Sequence, residues 1–159
     1  ENGTCACPGT VAAVDAGIEH MLEKIEEKLG AKGKPWTATG TLPGGDFPAD
    51  GFAAQLQRLQ ADYPFLEPRH AYRLLRLYGT RARVLLGTAA SPADLGEHFG
   101  WDLYAAEVRY LIAQEWAMTA QDVLWRRTKV GLHVTDAQAD ALETFMAKTV
   151  QRRSDTVPQ

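Results

Sequence analysis

The sequence predicts an all-α fold: a compact domain of about six or seven helices, with a long proline- and glycine-rich loop leading into it. Three observations carry this. Apolar residues recur at spacings of three and four over most of the 159 residues. Helix start and stop residues punctuate the chain at short intervals. Strand-like alternation is confined to Trp36–Leu42 and Leu132–Val134.

A first helix is predicted from about Val11 to Leu29, where Val14, Ile18, Leu22, Ile25 and Leu29 form one stripe opposite a charged face and Gly30 stops it. The stretch 30–48 holds three prolines and five glycines in 19 residues, so it reads as a long structured loop with Trp36, Leu42 and Phe47 as its anchors. Asp50 then caps a helix carrying Phe52, Leu56, Leu59 and Tyr63, ended by Pro64. Pro68 opens the next, with Ala71, Leu74, Leu75 and Tyr78 inward and Gly79 closing it. Thr80 caps a short helix that stops at Gly87. Ser91-Pro-Ala-Asp94 has the cap, the first-turn proline and the acid of a capping box. Glycines 96 and 100 precede a helix from about Tyr104 to Trp116. Two further boxes, Thr119-Ala-Gln-Asp122 and Thr135-Asp-Ala-Gln138, open a helix ending near Lys129 and a last helix with Leu142, Phe145, Met146 and Val150 inward. Residues 1–10 read as disordered or as not native to the domain, 11–152 as the helical domain, and 153–159 as a frayed tail.

Length and composition fit one domain with a real core, since a chain of roughly 150 residues buries about 70% of its unfolded surface. The formal net charge of −3 weighs against a general nucleic-acid binder. No run of about 18 apolar residues exists to span a membrane, and no signal peptide is expected from the first residues. The two cysteines, Cys5 and Cys7, lack a second ligand pair for zinc and read as a reduced thiol pair.

No chemical centre emerges. There is no G-x-G-x-x-G after a strand, no P-loop and no nucleophile elbow. His20, His70, His98 and His133 lie on different elements, where surface or cap roles are expected. Leu42-Pro-Gly-Gly-Asp46 is a tight turn whose N–H groups could also meet an anion. The densest polar constellation runs from Glu107 to Lys129. In it Asp122 sits at the third position after the Thr119 cap and four residues before Arg126, while Arg126, Arg127 and Lys129 occupy the last turn. Helix electrostatics account for much of this pattern; an inter-domain or anion contact by the arginine pair is the alternative.

This constellation carries a resemblance. Ala106-Glu107-Val-Arg-Tyr-Leu, followed by Glu115-Trp-Ala-Met-Thr-Ala-Gln-Asp122-Val-Leu-Trp-Arg126-Arg127-Thr128-Lys129, resembles the C-terminal domain of FAD-dependent, quinone-linked glycerol-3-phosphate dehydrogenases. Trp36-Thr-Ala with Leu42-Pro-Gly44-Gly45-Asp46, Leu77-Tyr-Gly-Thr-Arg81 and Leu85-Leu-Gly87 match in the same order, so the resemblance covers about residues 20–150. The chain departs from the family's pattern at Pro8–Gly17.

The resemblance implies a fragment of an enzyme, with no catalytic residue and no cofactor of its own. FAD and the substrate would belong to a preceding domain of the same polypeptide. The implied parent reaction oxidises sn-glycerol 3-phosphate to dihydroxyacetone phosphate, passing electrons through FAD to quinone. A cytoplasmic location follows, with the parent peripheral on the inner face of the membrane. This domain would be a helical cap on the flavin domain, with the Trp36–Pro48 loop and the Arg126–Arg127 region near the contact. An apolar patch left exposed there could pair isolated chains. Two rival readings are a freestanding helical protein-interaction module and a helix-turn-helix DNA binder with its turn at Ala117-Met-Thr119.

Overall fold

The computed structural model describes residues 20–30, 33 and 40–156, with side chains through 151. It divides into two units, 1–40 and 41–159. In the first, helix α1 spans 20–29 and ends where the Gly30 N–H donates to the Glu26 carbonyl, at 2.8 Å, with Gly30 at φ +74°. Leu22, Ile25 and Leu29 of its stripe are exposed. The expected start of this helix, Cys5, Cys7 and Trp36 lie outside the described residues.

The second unit is built from α2 (Phe52–Asp62), α3 (Pro68–Tyr78), α4 (Ala82–Leu86), α5 (Ala105–Gln114) and α6 (Asp136–Thr156). Single 3₁₀ turns lie at Gly79–Arg81, Pro92–Leu95 and Val130–Leu132, and a π-helical turn at Asp122–Arg127. Helix α2 packs on α3, α4 packs on both α3 and α5, and α5 also meets α6 and the π turn. The fold is all-α. Among the described residues there is no strand, only an isolated bridge between His98 and Tyr104, and Leu132 of one predicted strand is 3₁₀.

The predicted inward stripes are the core. Leu59, Ala71, Leu74, Leu75, Leu142 and Met146 are buried, joined by Phe99, Leu103, Val108, Leu111 and Val123. Removing one such leucine would cost about 2–5 kcal/mol through lost transfer energy and a residual cavity. All three capping boxes form. The Asp94 carboxylate accepts from the N–H groups of Ala90 and Ser91 and from the Ser91 hydroxyl. The Asp122 carboxylate does the same at Met118 and Thr119, and Gln138 Oε1 accepts from the Thr135 N–H at 2.9 Å.

Four expectations need correction. Gly51, not Asp50, is the residue before α2, and it supplies no side-chain cap. Helix α5 stops at Gln114, because Trp116 turns to φ +55°. The segment after Thr119 winds as a π turn rather than an α-helix, since the Val123 carbonyl accepts from both the Thr128 N–H (3.1 Å) and the Thr128 hydroxyl (2.7 Å). Thr80 does not cap α4, which follows Arg81; its hydroxyl donates to Asp46 instead.

Candidate functional site

A buried charge cluster ties α3, α5 and the turn between them. Arg73 projects from α3 into the core, and its guanidinium forks onto Glu107 of α5, with Nη1–Oε1 at 2.7 Å and Nη2–Oε2 at 2.6 Å. The Tyr78 hydroxyl donates to the same Glu107 Oε1 at 2.6 Å, and Arg73 Nη2 donates to the Asp102 carbonyl at 3.0 Å. Arg73 Nε lies 2.7 Å from Asp102 Oδ1, but the N–H is not aligned with the contact, so this is an ion pair without a hydrogen bond. Arg69, at the rim, stands 3.9 Å from Asp102 Oδ2 and 4.7 Å from the centre of the Trp101 ring.

The electrostatics follow from burial. At Arg73 burial opposes the charge, but Glu107 and then Asp102 outweigh it and raise the guanidinium's pKa. Burial, followed by the Glu107 charge, pushes the Tyr78 phenol well up. Burial also raises Asp102, against the pull of Arg73. His70 is buried and stacked on Tyr104, which corrects its expected surface or cap role. Burial, then the charges of Arg73 and Arg69, bring it down to about 3, so it is neutral at pH 7. A pocket of about 130 Å³ over this cluster is lined by Arg69, His70, Trp101, Asp102 and Tyr104, among others.

The Leu42–Asp46 turn docks on the end of α3 by its backbone. The Thr80 N–H donates to the Gly44 carbonyl at 3.1 Å, and the Thr80 hydroxyl donates to Asp46, which lowers that carboxyl's pKa. A Cβ on Gly79 (φ +56°) would stand 1.9 Å from the Gly44 carbonyl oxygen, and one on Gly44 (φ +87°) 2.4 Å from that of Tyr78. Only two glycines permit this crossing. Gly45 donates its N–H to the Leu42 carbonyl at 2.8 Å. The Gly45 N–H therefore serves the chain itself, and Leu42, expected as an anchor, is 80% exposed.

The second predicted constellation is likewise held from within. The Arg126 guanidinium meets Asp122 at 2.6 Å, Arg127 Nη2 donates to the Glu115 carbonyl at 2.8 Å, and the Lys129 ammonium donates to the Trp125 carbonyl. Hydrogen bonds from Met118, then Thr119 and Arg126, lower Asp122 to about 2. Thr128 is buried, and its hydroxyl also accepts from the Val130 N–H at 3.2 Å.

The two constellations meet at one groove. Pro43, Leu77, Tyr78, Arg81, Tyr110, Gln114 and Glu115 line a depression of about 190 Å³, in which Arg81 donates to the Tyr110 hydroxyl (2.7 Å) and to Gln114 Oε1 (2.9 Å). Leu42, Leu77, Trp116 and Met118 are exposed in the segments that form or adjoin it. Glu107 lies beneath, inside the core and joined to the groove through Tyr78. Another groove, of about 410 Å³, runs along α6 and is lined by Glu97, Thr144, Phe145 and Lys148, among others. Among the described residues no three metal-binding side chains cluster, and no helix is long and apolar enough to cross a membrane.

Sequence reasoning missed Arg73, Asp102, Tyr78 as a hydrogen-bond donor, Arg81 and Trp116. Arg73 did carry a signal: it is a charged residue beside the inward Ala71, Leu74 and Leu75.

The family described as the C-terminal domain of alpha-glycerophosphate oxidase matches residues 36–154. The chain belongs to this family. Among its relatives, the aerobic glycerol-3-phosphate dehydrogenase of Escherichia coli (strain K12) is 39% identical over 137 residues, which is 85% of this chain and 27% of the relative. The D-erythritol 1-phosphate dehydrogenase of Brucella abortus (strain 2308) is 39% identical over 122 residues, 77% of this chain and 24% of that protein. The glycerol-3-phosphate dehydrogenase of Pseudomonas aeruginosa is 40% identical over 128 residues, 80% and 25% respectively. The chain thus spans about a quarter of the length of the curated relatives it matches. The family's segment takes in the glycine crossing, the buried cluster and the groove alike.

Proposed function

We propose that this chain is the non-catalytic, helical C-terminal domain of an FAD-dependent dehydrogenase that oxidises sn-glycerol 3-phosphate to dihydroxyacetone phosphate and passes electrons to quinone. It packs on the flavin-binding domain of the same polypeptide through the face formed by the Leu42–Asp46 turn, the groove at Arg81 and Tyr110, and the Glu115–Met118 segment. The observation that carries the reading is the family match over 36–154, alongside relatives about four times longer than the part aligned. The flavin itself does not fit the described residues. They offer no strand leading into a glycine-rich turn, and the N–H groups of Gly45 and Thr80 at the one glycine-rich turn already have partners in the chain. FAD would supply the redox chemistry from its own domain. The present residues contribute a rigid wall, since Arg73, Glu107 and Tyr78 lock α3 to α5 directly beneath the groove.

The equal identity to the D-erythritol 1-phosphate dehydrogenase supports a second substrate reading, a longer phosphorylated polyol. The test is the full polypeptide that carries this domain. It is expected to be yellow and to reduce a quinone analogue with glycerol 3-phosphate. Turnover of erythritol 1-phosphate instead would select the second substrate. A colourless protein inactive on both phosphates would overturn the proposal.

A further inference from the structure

Trp116 is an odd residue to find in solvent. It is 79% exposed, and its backbone sits at φ +55°, a region unfavourable for a bulky side chain. The indole gains little burial there, yet the segment is fastened on both sides. Before it, Arg127 Nη2 holds the Glu115 carbonyl at 2.8 Å. After it, Ala117 is fully buried and its N–H donates to the Leu111 carbonyl at 3.1 Å. Beyond that, the Asp122 carboxylate takes the N–H groups of Met118 and Thr119, each at 3.0 Å. Ala117 points in while Trp116 and Met118, 58% exposed, stand out. The result is a tooth carrying two of the side chains most enriched at protein interfaces, on a backbone already held before any partner arrives.

We propose that Trp116, with Met118 beside it, is the anchor that seats this domain in an apolar socket on the preceding domain of the full polypeptide, with Arg127 as the residue that positions it. This rests on the proposed function and adds the point of attachment. Two observations select the occupant. About three quarters of each relative's length has no counterpart in this chain, so a large surface of the same polypeptide is available in such proteins. A second copy offers a poor socket, because each groove described above carries charged side chains: Glu97 and Lys148, Arg69 and Asp102, or Arg81 and Glu115.

The experiment compares this 159-residue chain with the full polypeptide by hydroxyl-radical footprinting and by Trp116→Gly. In the full polypeptide, oxidation of Trp116 is expected to fall at least ~10-fold, because the centre of an interface excludes water. Trp116→Gly should leave the melting temperature of the short chain unchanged or raise it, since glycine accepts the positive φ and little burial is lost. The same change should lower the melting temperature of the full polypeptide, and Trp116→Phe should restore most of it. Equal oxidation in both proteins would overturn the proposal. So would protection of the short chain that grows with its own concentration, or protection that requires lipid vesicles. Destabilisation of the short chain by Trp116→Gly would overturn it as well, by making the indole a folding residue. A yellow, active full polypeptide with an exposed Trp116 would defeat the anchor alone, whereas a colourless, inactive one would defeat the proposed function.

Discussion

Arg73 and Glu107 form a bidentate pair in the core, yet their removal should not cost the same. The cluster holds one buried cation, Arg73, against two buried carboxylates, Asp102 and Glu107, with Arg69 reaching only its rim at 3.9 Å. Glu107→Gln leaves Arg73 opposite Asp102, one charge against one, and the amide oxygen still accepts from Arg73 or Tyr78. Its cost is that of a hydrogen bond to a charged group, about 1.5–3 kcal/mol. Arg73→Met strands two carboxylates without a close counterion. Breaking a buried pair in that way costs about 3–5 kcal/mol, against a total stability of about 5–15 kcal/mol. The larger loss corresponds to a fall of roughly 6–20 °C in melting temperature. Stranded carboxylates regain neutrality by binding protons, so Arg73→Met should recover stability relative to the parent chain as pH falls from 7 to 5, and Glu107→Gln should not. Urea unfolding of both variants at the two pH values is the assay. Equal losses, or an Arg73→Met deficit independent of pH, would refute the charge count.

The parent chain should lose stability on acidification through His70. Its folded pKa, about 3, lies below the ordinary 6.5. Its contribution is therefore complete above pH 6.5 and declines as pH falls towards 3, by about 2 kcal/mol between pH 7 and 5. Asp102, raised by burial, acts in the opposite direction at lower pH; His70→Phe should flatten the slope between pH 7 and 5 in urea melts. Gly79→Ala should detach the Leu42–Asp46 turn, since the new Cβ would stand 1.9 Å from the Gly44 carbonyl oxygen. Faster hydrogen exchange at the Thr80 amide, which donates to Gly44, is the expected readout. Asp122→Ala removes the acid of the Thr119 capping box and should cost about 1 kcal/mol. That contribution is present above pH 3.8, the ordinary carboxyl value, and fades as pH falls towards about 2, so parent and variant should converge in acid melts.

Much of the helical framework was legible because its boundaries are chemical. Ser91–Asp94, Thr119–Asp122 and Thr135–Gln138 form caps as their spacing predicts, and Pro68 opens α3 as expected. The π turn was not legible, because its extra residue is drawn in by the Thr128 hydroxyl on the Val123 carbonyl, a choice made by packing and not by propensity. The buried cluster was half legible. Arg73 and Glu107 can each be seen as charges against apolar stripes, but they lie 34 residues apart, and periodicity within a helix says nothing about which charge meets which. Trp116 shows the sharpest difference. Read as the end of α5, it should sit on a helix. The Arg127 bond to the Glu115 carbonyl and the inward Ala117 set it apart instead.

In the proposed arrangement another part of a flavin-bearing polypeptide covers the face around Pro43, Arg81 and Glu115. Hydrogen–deuterium exchange on that polypeptide and on the 159-residue chain measures this directly. Peptides spanning 42–46 and 114–118 should exchange more slowly in the longer protein, while those over Thr144 and Lys148 on α6 stay as they are. Identical exchange at 42–46 and 114–118 in the two proteins would contradict it.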